Sequence, residues 1–116
     1  MTWWGRSVSV NLKGCDPDLI RSPAALRRFV RELCERIDMK RVGRANIKRF
    51  GKGSLRGYSL MQFIETSSIT AHFDEVGSRA FIDIFSCRRF NARSSALFSK
   101  RFFRAEGVEY SVFERR

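Results

Sequence analysis

A single histidine, His72, and three cysteines, Cys15, Cys34 and Cys87, are the side chains of this 116-residue sequence with most scope for chemistry near neutral pH. The cysteines have no CxxC spacing and one histidine cannot complete a zinc set, so no metal centre is expected. The thiols are expected to be reduced, each either a small buried apolar residue or a reactive group. Ser67 precedes His72 by five residues and Cys87 by twenty, and Ser59 lies eight before Ser67. A hydroxyl, an imidazole and a thiol can act as nucleophile, base and proton donor where they converge. The intervals put them on adjacent strands after a turn, which makes convergence at one point reasonable. By residue type alone, Ser59 and Ser67 are ordinary strand-end serines and His72 a satisfied strand histidine.

The scaffold that must position them follows from periodicity. Val8, Val10 and Leu12 alternate with Ser7, Ser9 and Asn11, which predicts a half-buried strand ending near Lys13. Gly14, Asp16 and Pro17 break it, and Ser22-Pro23 supplies an N-cap and a first-turn proline. From there Leu26, Phe29, Val30, Leu33, Cys34 and Ile37 fall on one helical face. Val42 to Phe50 suggests a strand, closed by glycines 51 and 53. Tyr58 to Glu65 predicts a strand buried on both faces. After a break at Thr66 to Ser68, Ile69 to Phe73 predicts another, then a turn at Asp74 to Ser78 and an apolar strand at Ala80 to Ser86. Ala92 to Ala105 predicts a second amphipathic helix and Val108 to Phe113 a last strand.

This order predicts an α+β fold, a two-layer α/β sandwich whose antiparallel-rich sheet carries two helices on one face. A hydrophobic content of 43% over this length supports one domain, residues 1–116, with a real core. The other sheet face is expected to stay partly apolar unless a second subunit covers it. No stretch suits a membrane span and Met1 to Arg6 lacks a secretory pattern, so a cytoplasmic location is expected. The formal charge of +11 admits nucleic acid, an anionic surface or an acidic partner. The basic residues occur as scattered pairs such as Arg27-Arg28, Lys48-Arg49 and Arg88-Arg89, which reads first as a solvated surface.

Three segments stand out: Gly14-Cys15-Asp16-Pro17 after the first predicted strand, Thr66-Ser67-Ser68-Ile69-Thr70-Ala71-His72, and Asp83-Ile84-Phe85-Ser86-Cys87. In them the sequence resembles the short bacterial and archaeal S-adenosylmethionine decarboxylases. The first is similar to the turn after their first strand, the second to their Glu-Ser-His-(apolar)-Ser/Thr-Ile-His stretch, and the third to their Asp-Val-Phe-Thr-Cys strand. The resemblance implies a pyruvoyl cofactor made from the chain itself. Ser67 would attack the carbonyl of Thr66, the resulting ester would eliminate, and the chain would part between Thr66 and Ser67. It further implies that His72 assists ester breakdown, that Ser59 supports processing and that Cys87 protonates the decarboxylated carbon. A homodimer at minimum is implied, with S-adenosylmethionine or a related amino acid as the amine substrate.

The sequence departs from the family pattern at several places. Thr66 replaces the glutamate before the cleaved serine, and Ser68 the histidine after it. Phe73-Asp74-Glu75-Val76 stands for Thr-Trp-Pro-Glu, and Arg88-Arg89 follows Cys87 where glycine is usual. The sulfonium of S-adenosylmethionine is positive, so in this basic chain the local carboxylates Asp74, Glu75 and Asp83 are the groups that could offset the field. A non-processing homologue with a binding, regulatory or different catalytic role is the alternative. A nucleic-acid module using Trp3, Trp4, Phe102 and Phe103 for stacking is a third reading, less expected because such aromatics usually lie in cores or interfaces.

Overall fold

The computed structural model describes residues 2–116, so Met1, the first residue of the expected domain, lies outside the described residues. The elements are β1 (Gly5–Lys13), α1 (Pro17–Ile20), α2 (Pro23–Arg36), β2 (Arg41–Phe50), β3 (Gly57–Ile64), β4 (Ser67–Asp74), β5 (Arg79–Ser86), α3 (Ala92–Phe102) and β6 (Gly107–Arg115). One antiparallel sheet of order β2-β3-β4-β5-β1-β6 holds every strand. The expected α+β sandwich stands, and the single-turn α1 joins its two expected helices. The Ser22 hydroxyl accepts from the Ala25 amide ahead of α2, and the Asn91 carboxamide accepts from Ser94 ahead of α3. Asp16 and Pro17 repeat that cap-and-proline chemistry one turn earlier, so the apparent breaker starts α1 and buries Ile20.

Strand alternation sends Val8, Val10, Leu12, Leu60, Ile69, Ala71, Ile82 and Ile84 to one face, where they are essentially inaccessible. The apolar stripes of α2 and α3 close over them. Phe29 stands at the centre, its ring 4.7 Å from that of Phe103 and 6.1 Å from that of Phe98. Phe103 is fully buried and contributes about 1.5 to 3 kcal/mol by leaving water. Phe103 is therefore closed to base stacking, and Phe102 is partly buried against the same core with Arg28 4.9 Å from its ring.

Two expectations change. β3 is buried on one face only: Leu60, Gln62 and Ile64 are inside, while Met61 and Phe63 are 56% and 68% exposed. Both long helices cover the same side of the sheet, and among the described residues no helix packs on the opposite side, where only Trp4 and Leu55 approach at its margins. The break at Thr66 to Ser68 is also shorter than expected. Ile64 pairs with Ser67 directly, and β5 pairs with β4 from Ser67 onward, so ladders on both sides draw that serine into the sheet.

A carboxylate ties the far end of the sheet to the helical layer. Glu75, only 7% exposed, accepts two hydrogen bonds from Arg49, at 2.9 and 2.7 Å, and lies 3.6 Å from Arg21. The Arg49 bond, then the charges of Arg49 and Arg21, outweigh desolvation and hold its carboxyl below the usual range. A depressed folded-state pKa contributes stability above the unfolded carboxylate value and loses it as pH falls through the folded value. Glu75→Gln should therefore cost about 1 to 2 kcal/mol at pH 7, discounted because Arg49 is solvent-facing. Thermal melts of wild type and variant should converge as pH falls from the ordinary carboxylate range through the lowered Glu75 value.

Candidate active site

The turn between β3 and β4 consists of Glu65 and Thr66, and its backbone is pinned from both sides. The Glu65 amide donates to the Lys40 carbonyl at 2.9 Å, and the Thr66 carbonyl accepts from the Cys87 amide at 2.8 Å. The Thr66 side chain is also held. Ser86, fully buried, donates to Thr66 Oγ1 at 2.7 Å, and Thr66 Oγ1 donates to Met39 Sδ at 3.3 Å. The Arg88 amide donates to Ser86 Oγ at 3.0 Å. Gly5 lets β1 approach this point, since a Cβ there would stand 2.9 Å from the Ser86 carbonyl oxygen.

Ser67 follows with a φ of +153°, a conformation that a non-glycine residue adopts at a cost of about 1 to 3 kcal/mol. The residue that carries a nucleophilic hydroxyl is thus strained, next to a carbonyl whose oxygen points at a fixed N–H donor. That is a suitable geometry for an acyl shift, because the donor stabilises negative charge on the oxygen under attack.

Ser59 and His72 are cross-strand partners on β3 and β4, and Ser59 Oγ lies 2.8 Å from His72 Nδ1. His72 also lines an open cleft of about 470 Å³ beside Phe81, Asp74 and Leu55. The structure does not bring this pair to Ser67 within one chain, contrary to the expected convergence. Ser67 and His72 share β4, five residues apart, so about 16 Å of strand separates them and alternation sends them to opposite faces. Ser67 is in register with Ile64 and Ser86 on the helix-covered side, His72 with Ser59 and Phe81 on the open side. The expected site therefore falls into two halves: Thr66, Ser67 and Cys87 at one end of the sheet, Ser59 and His72 toward the other.

Cys87 is the one exposed thiol among the described residues; Cys15 and Cys34 are buried, and burial pushes each thiol up to about 11. The local carboxylates differ in availability. Glu75 is committed to Arg49, and Asp74 to Arg79 at 2.7 Å. Asp83 sits in the middle of the open face, where it accepts from the Ser9 hydroxyl at 2.6 Å. No group of three or more potential metal ligands occurs among the described residues.

The sequence reading missed Ser86 and Met39 as partners of Thr66. The signal for Ser86 was its place before Cys87; the Cys87 amide carries no side-chain signal at all.

A six-stranded antiparallel sheet with helices on one face, the turn before Ser67 and the position of Cys87 together define the class. Residues 6–116 match the S-adenosylmethionine decarboxylase family, and the chain belongs to it. The chain is similar to adenosylmethionine decarboxylase from Aquifex aeolicus VF5, a crystal structure that it matches with a TM-score of 0.84 at 16% identity, over 99% of this chain and 92% of that one. No match was found among curated proteins. Among the described residues, no helix is long and apolar enough to cross a membrane.

Proposed function

We propose that this chain is a self-processing decarboxylase whose pyruvoyl cofactor is made from Ser67. The observation that carries this reading is the Thr66 carbonyl, held at 2.8 Å by the Cys87 amide beside the strained Ser67. Ser67 Oγ attacks the Thr66 carbonyl carbon, the C–N bond breaks and an ester forms, with the strain at Ser67 favouring departure from the amide. A base then removes the Ser67 α proton and the Cβ–O bond breaks, leaving residue 66 as a carboxylate. Water hydrolyses the resulting dehydroalanine, releasing ammonia. The finished ketone acts as an electron sink for decarboxylation of an amine substrate. His72, oriented by Ser59, assists ester breakdown, and the exposed Cys87 returns a proton to the decarboxylated carbon.

A base about 16 Å away cannot serve the same chain's Ser67. The reading therefore includes a homodimer in which Ser59 and His72 of one protomer complete the site of the other at the end of the sheet that holds Thr66, Ser67 and Cys87. Support comes from the open sheet face, where Trp4 stacks on Phe85 with ring centroids 5.8 Å apart and Met61, Phe63 and Phe113 stand exposed. S-adenosylmethionine is the first candidate substrate, with Asp83 the carboxylate on that face best placed for a cation. One observation favours the alternative, a non-processing homologue: Thr66 turns its hydroxyl to Ser86 and Met39 and offers a cationic substrate no charge.

Intact-mass measurement decides between them. The purified protein should contain two chains split between Thr66 and Ser67 and release carbon dioxide from carboxyl-labelled S-adenosylmethionine, with ornithine and arginine tested next. A single uncleaved chain defeats the proposal; cleavage without release from S-adenosylmethionine rejects that substrate alone.

A further inference from the structure

Away from the proposed site, a crevice of about 150 Å³ between α2 and β2 is lined by Arg27, Arg31, Arg41 and Arg44, with Val30 and Ala45 the other lining residues. No carboxylate lines it, and none of the four arginines takes part in an ion pair among the described residues. Guanidinium groups stay charged at any physiological pH, so the crevice gathers four positive charges with no carboxylate at ion-pair distance among the described residues. Scattered surface arginines would repel one another apart; these are held together by built features. Arg27 and Arg31 are one helical turn apart on the same face of α2. Arg27 is anchored across the gap by donating from Nη1 to the Ala45 carbonyl at 2.9 Å.

The strand side of the crevice depends on an irregularity. Val42 pairs with Phe63 and Asn46 with Met61, so β2 spends four steps where β3 spends two. Without the excess, alternation would put Arg41 and Arg44 on opposite faces of β2; with it, both line one crevice. Gly43, at φ +72°, makes the bulge, and the buried Gln62 secures it by donating from Nε2 to the Val42 and Gly43 carbonyls at 3.3 and 3.1 Å.

We propose that this crevice is a binding site for a phosphate-type oxyanion, with a diphosphate group as the ligand unit. Planar guanidinium forks match phosphate oxygens two at a time, which is the geometry that favours arginine over lysine for this task. At about 30 Å³ per water, the crevice has room for a tetrahedral oxyanion or two joined by a bridging oxygen. A nucleic-acid strand fits less well, because the charges converge on a pocket rather than tracking a groove and no aromatic ring lines it.

Calorimetric titration of the purified full chain with pyrophosphate should show one site per chain. Arg31→Gln and Arg44→Gln, one on each wall, should each weaken it by about tenfold. Arg116→Gln, which removes an equal charge elsewhere, should change it by less than about twofold. Melting temperatures check that each variant is folded. Equal affinity for pyrophosphate and ADP assigns the site to free diphosphate, and tighter ADP binding to a nucleotide; either supports the proposal. It is overturned by the absence of binding at millimolar pyrophosphate, by equal losses in all three variants, or by preference for a single-stranded oligonucleotide that ignores Arg44→Gln.

Discussion

Ser67→Ala should leave a single uncleaved chain with no decarboxylase activity, at a melting temperature close to that of an unprocessed wild-type chain. The hydroxyl is the only atom removed, so the fixed Thr66 carbonyl keeps its bond to the Cys87 amide and the turn keeps its shape. Alanine cannot relieve the +153° φ at this position, whereas glycine can. Ser67→Gly should be equally uncleaved and inactive yet more stable than Ser67→Ala, by about 1 kcal/mol in denaturant unfolding. A difference of that sign ties the strain to the bond to be cut. Equal stabilities would mean that Ser67 sits comfortably, and that carbonyl polarisation alone must drive the acyl shift. Cleavage that persists in Ser67→Ala would move the reaction to another residue and end the proposal for Ser67.

Much of the scaffold was legible because it rests on local signals. Alternation, apolar runs and turn residues marked the six strands, and Ser22-Pro23 marked where α2 begins. α1 was hidden because Asp16-Pro17 reads equally as a turn and as a cap, and only burial of Ile20 decides for the helix. The site was less legible because its geometry depends on pairing. Placing a break before Ile69 made Ser67 a loop residue free to meet His72. Once Ile64 and Ser86 recruit Ser67 into β4, the odd interval of five becomes decisive, since an odd number of steps along one strand changes face. The bulge that gathers Arg41 with Arg44 is hidden for a similar reason: Gly43 marks a turn or a bulge, and only the register against β3 distinguishes them.

That change of face leads to the second large effect. His72→Ala and Ser67→Ala should each be inactive alone, and co-expression of the two should restore activity. In a two-fold homodimer with shared sites, a mixed pair contains one complete site, made from Ser67 and Cys87 of the His72→Ala protomer with Ser59 and His72 of the Ser67→Ala protomer. Its other site carries both defects. With equal expression and random pairing, half of the dimers are mixed and each has one working site of two, so activity should return to about a quarter of wild type. Cleavage should appear only in the His72→Ala chain, which mass measurement distinguishes from its partner. If each protomer instead held a whole site, every chain in the mixture would lack one essential group and no activity could return. The outcome therefore tests the consequence of two features of the fold, the register of β4 and the 2.8 Å Ser59–His72 pair on the open face, independently of which amine the enzyme accepts.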